Sequence, residues 1–393
     1  MERSGRLVLH GARKVDAGGT VEDFWLVADD GVIVEVGTGG GWERAAEGAR
    51  VHDAGGLIAT PGFVDLHVHG GAGRGFDEGV DAMRAGLALH REHGTTRSLV
   101  SLVSAPLSAL ETSLDAVATL AEGDPLVLGA HLEGPFLAPS RRGAHDPGAL
   151  IAPTDEAVER LLDASRGALR QITIAPELPG ALRAIERLAE AGVVVAVGHT
   201  EADAGTTRAA IERGAWLVTH AFNAMPGIGH RSPGPIPVAL ADERVVLELI
   251  LDGEHVDADV ARIAFASAPG RIALVTDAMA AAGAGDGAHR IGGLRVEVRD
   301  GVARLAGTAT LAGSTLTLDA AVRRAAGAVG PGVGLGLEAA VGAVTATPAR
   351  VLGEADRLGS LAVGRAADVV LLDDALRVRA VWAAGASAVP PGR

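Results

Sequence analysis

From Thr60 to about Gly353 the chain alternates short apolar, β-rich runs with Ala/Leu/Arg-rich helical stretches. The apolar runs fall near Phe63–Leu66, Thr96–Val100, Leu126–Ala130, Leu169–Ala175, Val193–Val197, Trp216–Val218, Val245–Leu251 and Ile272–Val275. Helical patterns such as Ala181–Ala191 and Asp257–Ala268 separate them. Repeated β–α units predict a parallel sheet, and eight of them predict a closed (β/α)8 barrel of the TIM type. An open, doubly wound sheet is the alternative, and the count of eight favours the barrel. The ends read differently, with short strands and Gly turns at Arg6–Leu9, Trp25–Ala28 and Val32–Val36. The tail, in SLAVGRAADVVLLDD and RVRAVWAAG, has the same character. Neither end holds enough apolar surface to fold alone, so the two are expected to pair as one small β-sandwich. The expected organisation is 1–59 and 354–393 for that sandwich and 60–353 for the barrel. Period-two alternation in IGGLRVEVRDGVARL adds an inserted β-hairpin at about 289–306.

A chain of 393 residues is longer than a bare barrel needs, which agrees with a second small domain. Hydrophobic residues at 48 % and charged residues at 21 % describe a folded, soluble protein. A net charge of −14 argues against a nucleic-acid surface, so an anionic substrate must be met by a few local cations. Lys14 is the single lysine, and cysteine is absent, which removes disulfides, thiolate nucleophiles and Cys-based zinc sites. The first residues lack the apolar core of a signal peptide, and no run has the length of a membrane span. A cytoplasmic enzyme without membrane partners is expected.

The chemistry gathers at the C-terminal ends of the apolar runs. The first ends in DLHVHGG, where His67 and His69, two apart on a strand, point to one side and can reach one cation together. A lone HxH is a moderate signal, which its place at a barrel mouth strengthens. The third ends in HLEGPF. A carboxylate there is costly to desolvate unless paired or metal-bound, so Glu133 is a candidate bridging ligand, with His131 beneath it as a supporting or packing residue. The fifth ends at His199, the sixth at His220, and the eighth at Asp277. Each alone could be structural; five metal-competent side chains and an acid at one mouth favour function. His10, His52, His90, His93 and His289 read as surface or structural residues, and His230 is left open.

The set DLHVHGG, HLEGPF, GHT, THAFNAM, DGEHV and VTDAM, with GSLAVGRAADVVLLD near the end, resembles the N-acetylglucosamine-6-phosphate deacetylases of the amidohydrolase superfamily. HLEGPF and HAFNAM carry most of the specificity. The resemblance covers nearly the whole chain. Many superfamily members bridge two metals with a carboxylated lysine, for which Lys14 is misplaced; the resemblance gives that bridging role to Glu133. It implies one metal on Glu133, His199 and His220, and a second near His67, His69, Glu133 and Asp277. It implies a divalent ion, Zn²⁺ ahead of Fe²⁺, Mn²⁺ or Co²⁺, with one or two per subunit. It gives His145, Asn223, Ala224, Arg231, His255, Leu311 and Gly134 to substrate binding. His145 would touch sugar hydroxyls or the acetyl oxygen, Leu311 would border the pocket, and Asn223–Ala224, Arg231 and His255 would hold the phosphate. Relatives often carry an acid where this chain has Ser232. A homodimer is implied, with Arg231 reaching the neighbouring subunit's site.

The implied reaction splits the acetamide of N-acetyl-D-glucosamine 6-phosphate, giving D-glucosamine 6-phosphate and acetate, with Asp277 as the proton shuttle. That places the chain in amino-sugar catabolism. Two other classes stay open. One is another amidohydrolase, a cyclic amidase or an N-acyl-amino-acid deacylase. The other is an inactive relative that binds sugar phosphates and regulates.

Overall fold

The computed structural model describes residues 5–329 and 332–389. Eight parallel strands form one sheet in chain order: Phe63–Asp65, Thr95–Val103, Val127–Glu133, Leu169–Ile174, Val194–Val197, Ala215–Val218, Val246–Ile250 and Ile272–Val275. The first and last ends meet just beyond the strands. Val68 bridges Ala278 in parallel register, and the Asp277 N–H donates to the His67 carbonyl at 2.8 Å. The sheet is therefore a barrel, as the repeat of β–α units predicts.

Local chemistry sets the helices between strands. Thr154, Asp203 and Asp257 cap the helices Asp155–Ser165, Ala204–Glu212 and Ala258–Ser267, each side chain accepting from a first-turn N–H at 3.2, 2.7 and 2.8 Å. In the first of these Val158 and Leu161 face inward, joining Leu114, Ile172 and Ile185 in the layer between helices and sheet.

The chain divides into two compact units. One comprises Leu66–Leu89 and Ser98–Thr317; the other takes the chain up to Asp65, His90–Arg97 and the chain from Leu318 onward. In the second unit both chain ends share one eight-stranded sheet, joined where Ile58–Pro61 pairs antiparallel with Val369–Leu372. The sheet curls, so Leu26 and Ile33 from one end share a core with Leu371 and Trp382 from the other. The helices Leu318–Ala325, Leu337–Gly342 and Ala346–Val351 also lie in this unit.

The expected hairpin is a three-stranded antiparallel sheet, Gly287–Ile291, Leu294–Arg299 and Val302–Leu305. Its alternation buries Val296 and Val298 against Met279 and Ala312 and leaves Arg295, Glu297 and Arg299 outside. The extra strand was hidden because GAHRI lacks apolar alternation. Among the described residues, no helix is long and apolar enough to cross a membrane.

Candidate active site

The barrel strands carry their polar residues to one mouth, and the backbone there is strained. His199, His220 and Asp277 all take left-handed φ angles, of 47°, 25° and 47°. Non-glycine residues pay about 1–3 kcal/mol for such conformations, which persist only when the surroundings over-determine them. Each strain turns a side chain inward at the point where its strand ends.

The result is one buried cluster. Glu133 Oε1 lies 3.0 Å from His199 Nε2 and 2.9 Å from His220 Nε2, and those two nitrogens are 3.0 Å apart. His67 Nε2 and His69 Nε2 stand 2.9 Å apart on the other side of Glu133, with His69 3.2 Å from Oε2. Asp277 Oδ1 is 3.4 Å from both.

Proton positions follow from the outer partners. His199 Nδ1 lies 2.7 Å from the Arg141 carbonyl, and a carbonyl only accepts, so Nδ1 carries the proton and Nε2 presents a lone pair. His67 Nδ1 lies 3.1 Å from the Glu248 carboxylate, with the same consequence. Lone pairs and carboxylate oxygens thus converge on common points. Ligands at about 2.0–2.1 Å from a tetrahedral ion stand roughly 3.3 Å apart, close to the separations seen. The donor set fits divalent cations.

His145 is different, although its Nε2 lies 3.1 Å from Glu133 Oε2 and it falls among groups close enough to share an ion. Its Nδ1 accepts from the Ser104 N–H at 3.2 Å, so the proton sits on Nε2. Burial pushes its pKa down to about 4, despite the pull of Glu133. A neutral imidazole presenting an N–H is a donor, and His220 is the better third ligand beside His199. His131 is held by two hydroxyls, Ser101 at 3.0 Å and Thr173 at 2.9 Å, and packs beneath the cluster.

A cavity of about 620 Å³ opens above, and Glu133, His145, His199, His220 and Asp277 form its floor. Asn223, Ala224, His255 and Leu311 line its walls. Burial alone would lower the His255 pKa, but Asp252 at 2.7 Å from Nδ1 outweighs it and holds the pKa above its ordinary value. A positive charge is therefore favoured on a cavity wall.

Two expected substrate residues do not line the cavity. Gly134 has φ +88°, and a Cβ there would lie 2.2 Å from Ser104 Oγ, so this glycine lets the chain turn sharply after Glu133. Arg231 is exposed on the loop after HAFNAM and makes no hydrogen bond or ion pair among the described residues. Conversely, Gln171 and Glu248 sit fully buried inside the barrel and were missed in sequence. Glu248 is the one polar residue in VLELI, and Gln171 lies among Arg170 and Thr173 in LRQITI, patterns that read as an outward face.

A model of the amidohydrolase family matches residues 58–388. The chain belongs to this family. It is similar to N-acetylgalactosamine-6-phosphate deacetylase of Escherichia coli O157:H7, at 37% identity over 96% of this chain and 98% of that protein. It is 38% identical to N-acetylglucosamine-6-phosphate deacetylase of Bos taurus, over 87% of this chain and 85% of that protein. Among solved structures, a variant of N-acetyl-D-glucosamine-6-phosphate deacetylase from Mycobacterium smegmatis, in complex with N-acetyl-D-glucosamine 6-phosphate, is 41% identical. That match has a TM-score of 0.92 and covers 98% of this chain and 100% of that one. Family membership makes this a metal-dependent hydrolase, consistent with the His/Glu groups of the cluster.

Proposed function

We propose that this enzyme hydrolyses the acetamide of N-acetyl-D-glucosamine 6-phosphate to D-glucosamine 6-phosphate and acetate. The observation that carries the reading is Asp277, a buried acid at the edge of a cation-fitting cluster on the floor of a sugar-sized cavity. Glu133, His199 and His220 would hold one cation, and His67, His69, Glu133 and Asp277 a second. Zn²⁺ suits imidazole and carboxylate ligands. When bound, such a cation supplies a nucleophile near neutral pH by lowering the pKa of water to roughly 7.

The protein's own groups do the rest. His145 donates Nε2–H to the acetyl oxygen as negative charge develops there. Asp277 takes the proton of the attacking water and delivers it to the departing amine, which leaves badly without one. His255 and the Asn223–Ala224 backbone face the phosphate. Arg231, exposed and unpaired, would complete that site in the neighbouring subunit of a homodimer. A phosphorylated sugar does not cross membranes unaided, so the reaction belongs in the cytoplasm.

A second reading has a specific support: two relatives matched over nearly their full length are named for the galactosamine epimer. Acetate release from N-acetylglucosamine, its 6-phosphate and N-acetylgalactosamine 6-phosphate separates the cases. The expected order is N-acetylglucosamine 6-phosphate first and the unphosphorylated sugar last. Faster release from N-acetylgalactosamine 6-phosphate moves the assignment to that epimer, and no release from any of them overturns it.

A further inference from the structure

The strand Val246–Ile250 carries a carboxylate into the barrel interior. Glu248 is 0% exposed, and its contacts reach both halves of the cation cluster. Oε2 accepts from His67 Nδ1 at 3.1 Å and from the His220 N–H at 3.3 Å. Oε1 accepts from Gln171 Nε2 at 2.7 Å, and the Glu248 carbonyl accepts from the Ala221 N–H at 2.8 Å. Among the described residues no Arg or Lys touches its carboxylate; His67 is its one ionisable partner.

A buried carboxylate with no cation beside it is costly. The imidazole offers a route for compensation. With its proton on Nδ1 toward Glu248, His67 turns the Nε2 lone pair toward His69, Glu133 and Asp277. Negative charge on one face of the ring makes the opposite nitrogen a stronger ligand. His199 gets only a neutral carbonyl in the equivalent place, and His69 and His220 have no partner on Nδ1. The charged support is given to one ligand alone.

We infer that Glu248 is a positioning residue that commits His67 to the second cation, so this chain is built to hold two. The inference rests on the metal reading proposed above. Glu248→Gln isolates the charge. The amide oxygen can still accept from His67, and its NH2 can face Gln171, whose Oε1 has no partner.

The experiment titrates metal-free wild type and Glu248→Gln with Co²⁺, following equivalents by elemental analysis and ligand-field absorption, and melts both proteins without metal. Wild type should bind two equivalents. The variant should bind the first as wild type does and the second 10- to 100-fold more weakly, a typical cost for loss of a supporting carboxylate. Its metal-free form should melt close to the wild type, because the amide keeps the hydrogen bonds to His67 and Gln171. Two unaltered affinities would overturn the inference, as would loss of both together with a lower metal-free melting temperature, which marks a merely structural residue. Wild type that takes up one Co²⁺ also sinks it while leaving the Glu133–His199–His220 site standing. Wild type that takes up none overturns both.

Discussion

Both units bury carboxylates, but they satisfy them in different ways. In the unit of the chain ends, Asp368 meets Arg97 in a fork, with Nε–Oδ2 at 2.6 Å and Nη2–Oδ1 at 3.0 Å, and the Ala384 N–H adds 2.7 Å to Oδ1. Asp16 has Lys14 at 3.0 Å. In the barrel unit, Glu133, Asp277 and Glu248 have no Arg or Lys partner among the described residues, and imidazoles are their only ionisable partners of opposite sign. A carboxylate matched by a guanidinium is complete. Carboxylates matched only by histidines, which are metal ligands in their neutral form, keep a deficit of positive charge that divalent cations would fill. The same residue type is structural in one unit and chemical in the other.

The sharpest test of that contrast is Asp277→Asn. The amide keeps the shape but cannot take a proton, so kcat should fall by about 10²–10⁴ while the fold stays intact. Acetate release and a melting curve measured together decide it. A loss of only a fewfold would return Asp277 to the structural class and move the proton transfer elsewhere.

The opposite result is expected in the other unit. Arg97→Met leaves Asp368 buried without its cation and should cost about 3–5 kcal/mol, read as a lower urea midpoint. kcat per folded molecule should be unchanged. A fall in kcat without a loss of stability would break the division between the two kinds of carboxylate.

The sequence announced the chemical carboxylates more clearly than the structural ones. Glu133 and Asp277 end apolar runs, where a charge is conspicuous, and HxH and the single histidines after glycine or threonine mark the same mouth. Eight β–α repeats made the barrel legible for the same reason: each apolar run is bounded by a helix of different composition. Asp368 was lost in GRAADVVLLDD, because its partner Arg97 is 271 residues away and nothing local signals the pair. Glu248 was lost in VLELI, where alternation puts a polar residue on a surface. In a barrel the second face of a strand is the interior, and Gln171, Thr173, Thr219 and Glu248 make that interior polar beneath the cluster. Arg231 was legible as a loop cation, but its exposure is a matter of tertiary placement that spacing cannot give.

Arg231 sharpens the comparison from the other side, as a cation of the barrel unit with no acid. Arg231→Ala should lower kcat/KM for the 6-phosphate substrate by roughly 10- to 150-fold, the range of one charge-assisted hydrogen bond. Activity on the unphosphorylated sugar should hardly change. Equal losses on both would show that the arginine shapes the loop rather than meeting phosphate.

The smallest effect tests a half-exposed pair in the unit of the chain ends. His93 Nδ1 lies 3.1 Å from Asp319 Oδ1, and this hydrogen bond raises the His93 pKa above 6.5, against the lesser effects of burial and of Arg323, which itself binds Asp319 Oδ2 at 2.6 Å. A histidine with a raised folded pKa adds stability that is fully present below the unfolded value. That stability disappears as pH climbs through the folded value. His93 is 38% exposed, so solvent screening keeps the contribution under about 1 kcal/mol. His93→Gln should therefore melt slightly below wild type at about pH 6 and level with it at about pH 9. Any dependence of metal binding on pH is common to both proteins and cancels in the difference. A gap of equal size at both pH values would mean that the imidazole contributes by packing, and that Asp319 is satisfied by Arg323 whether or not His93 is charged.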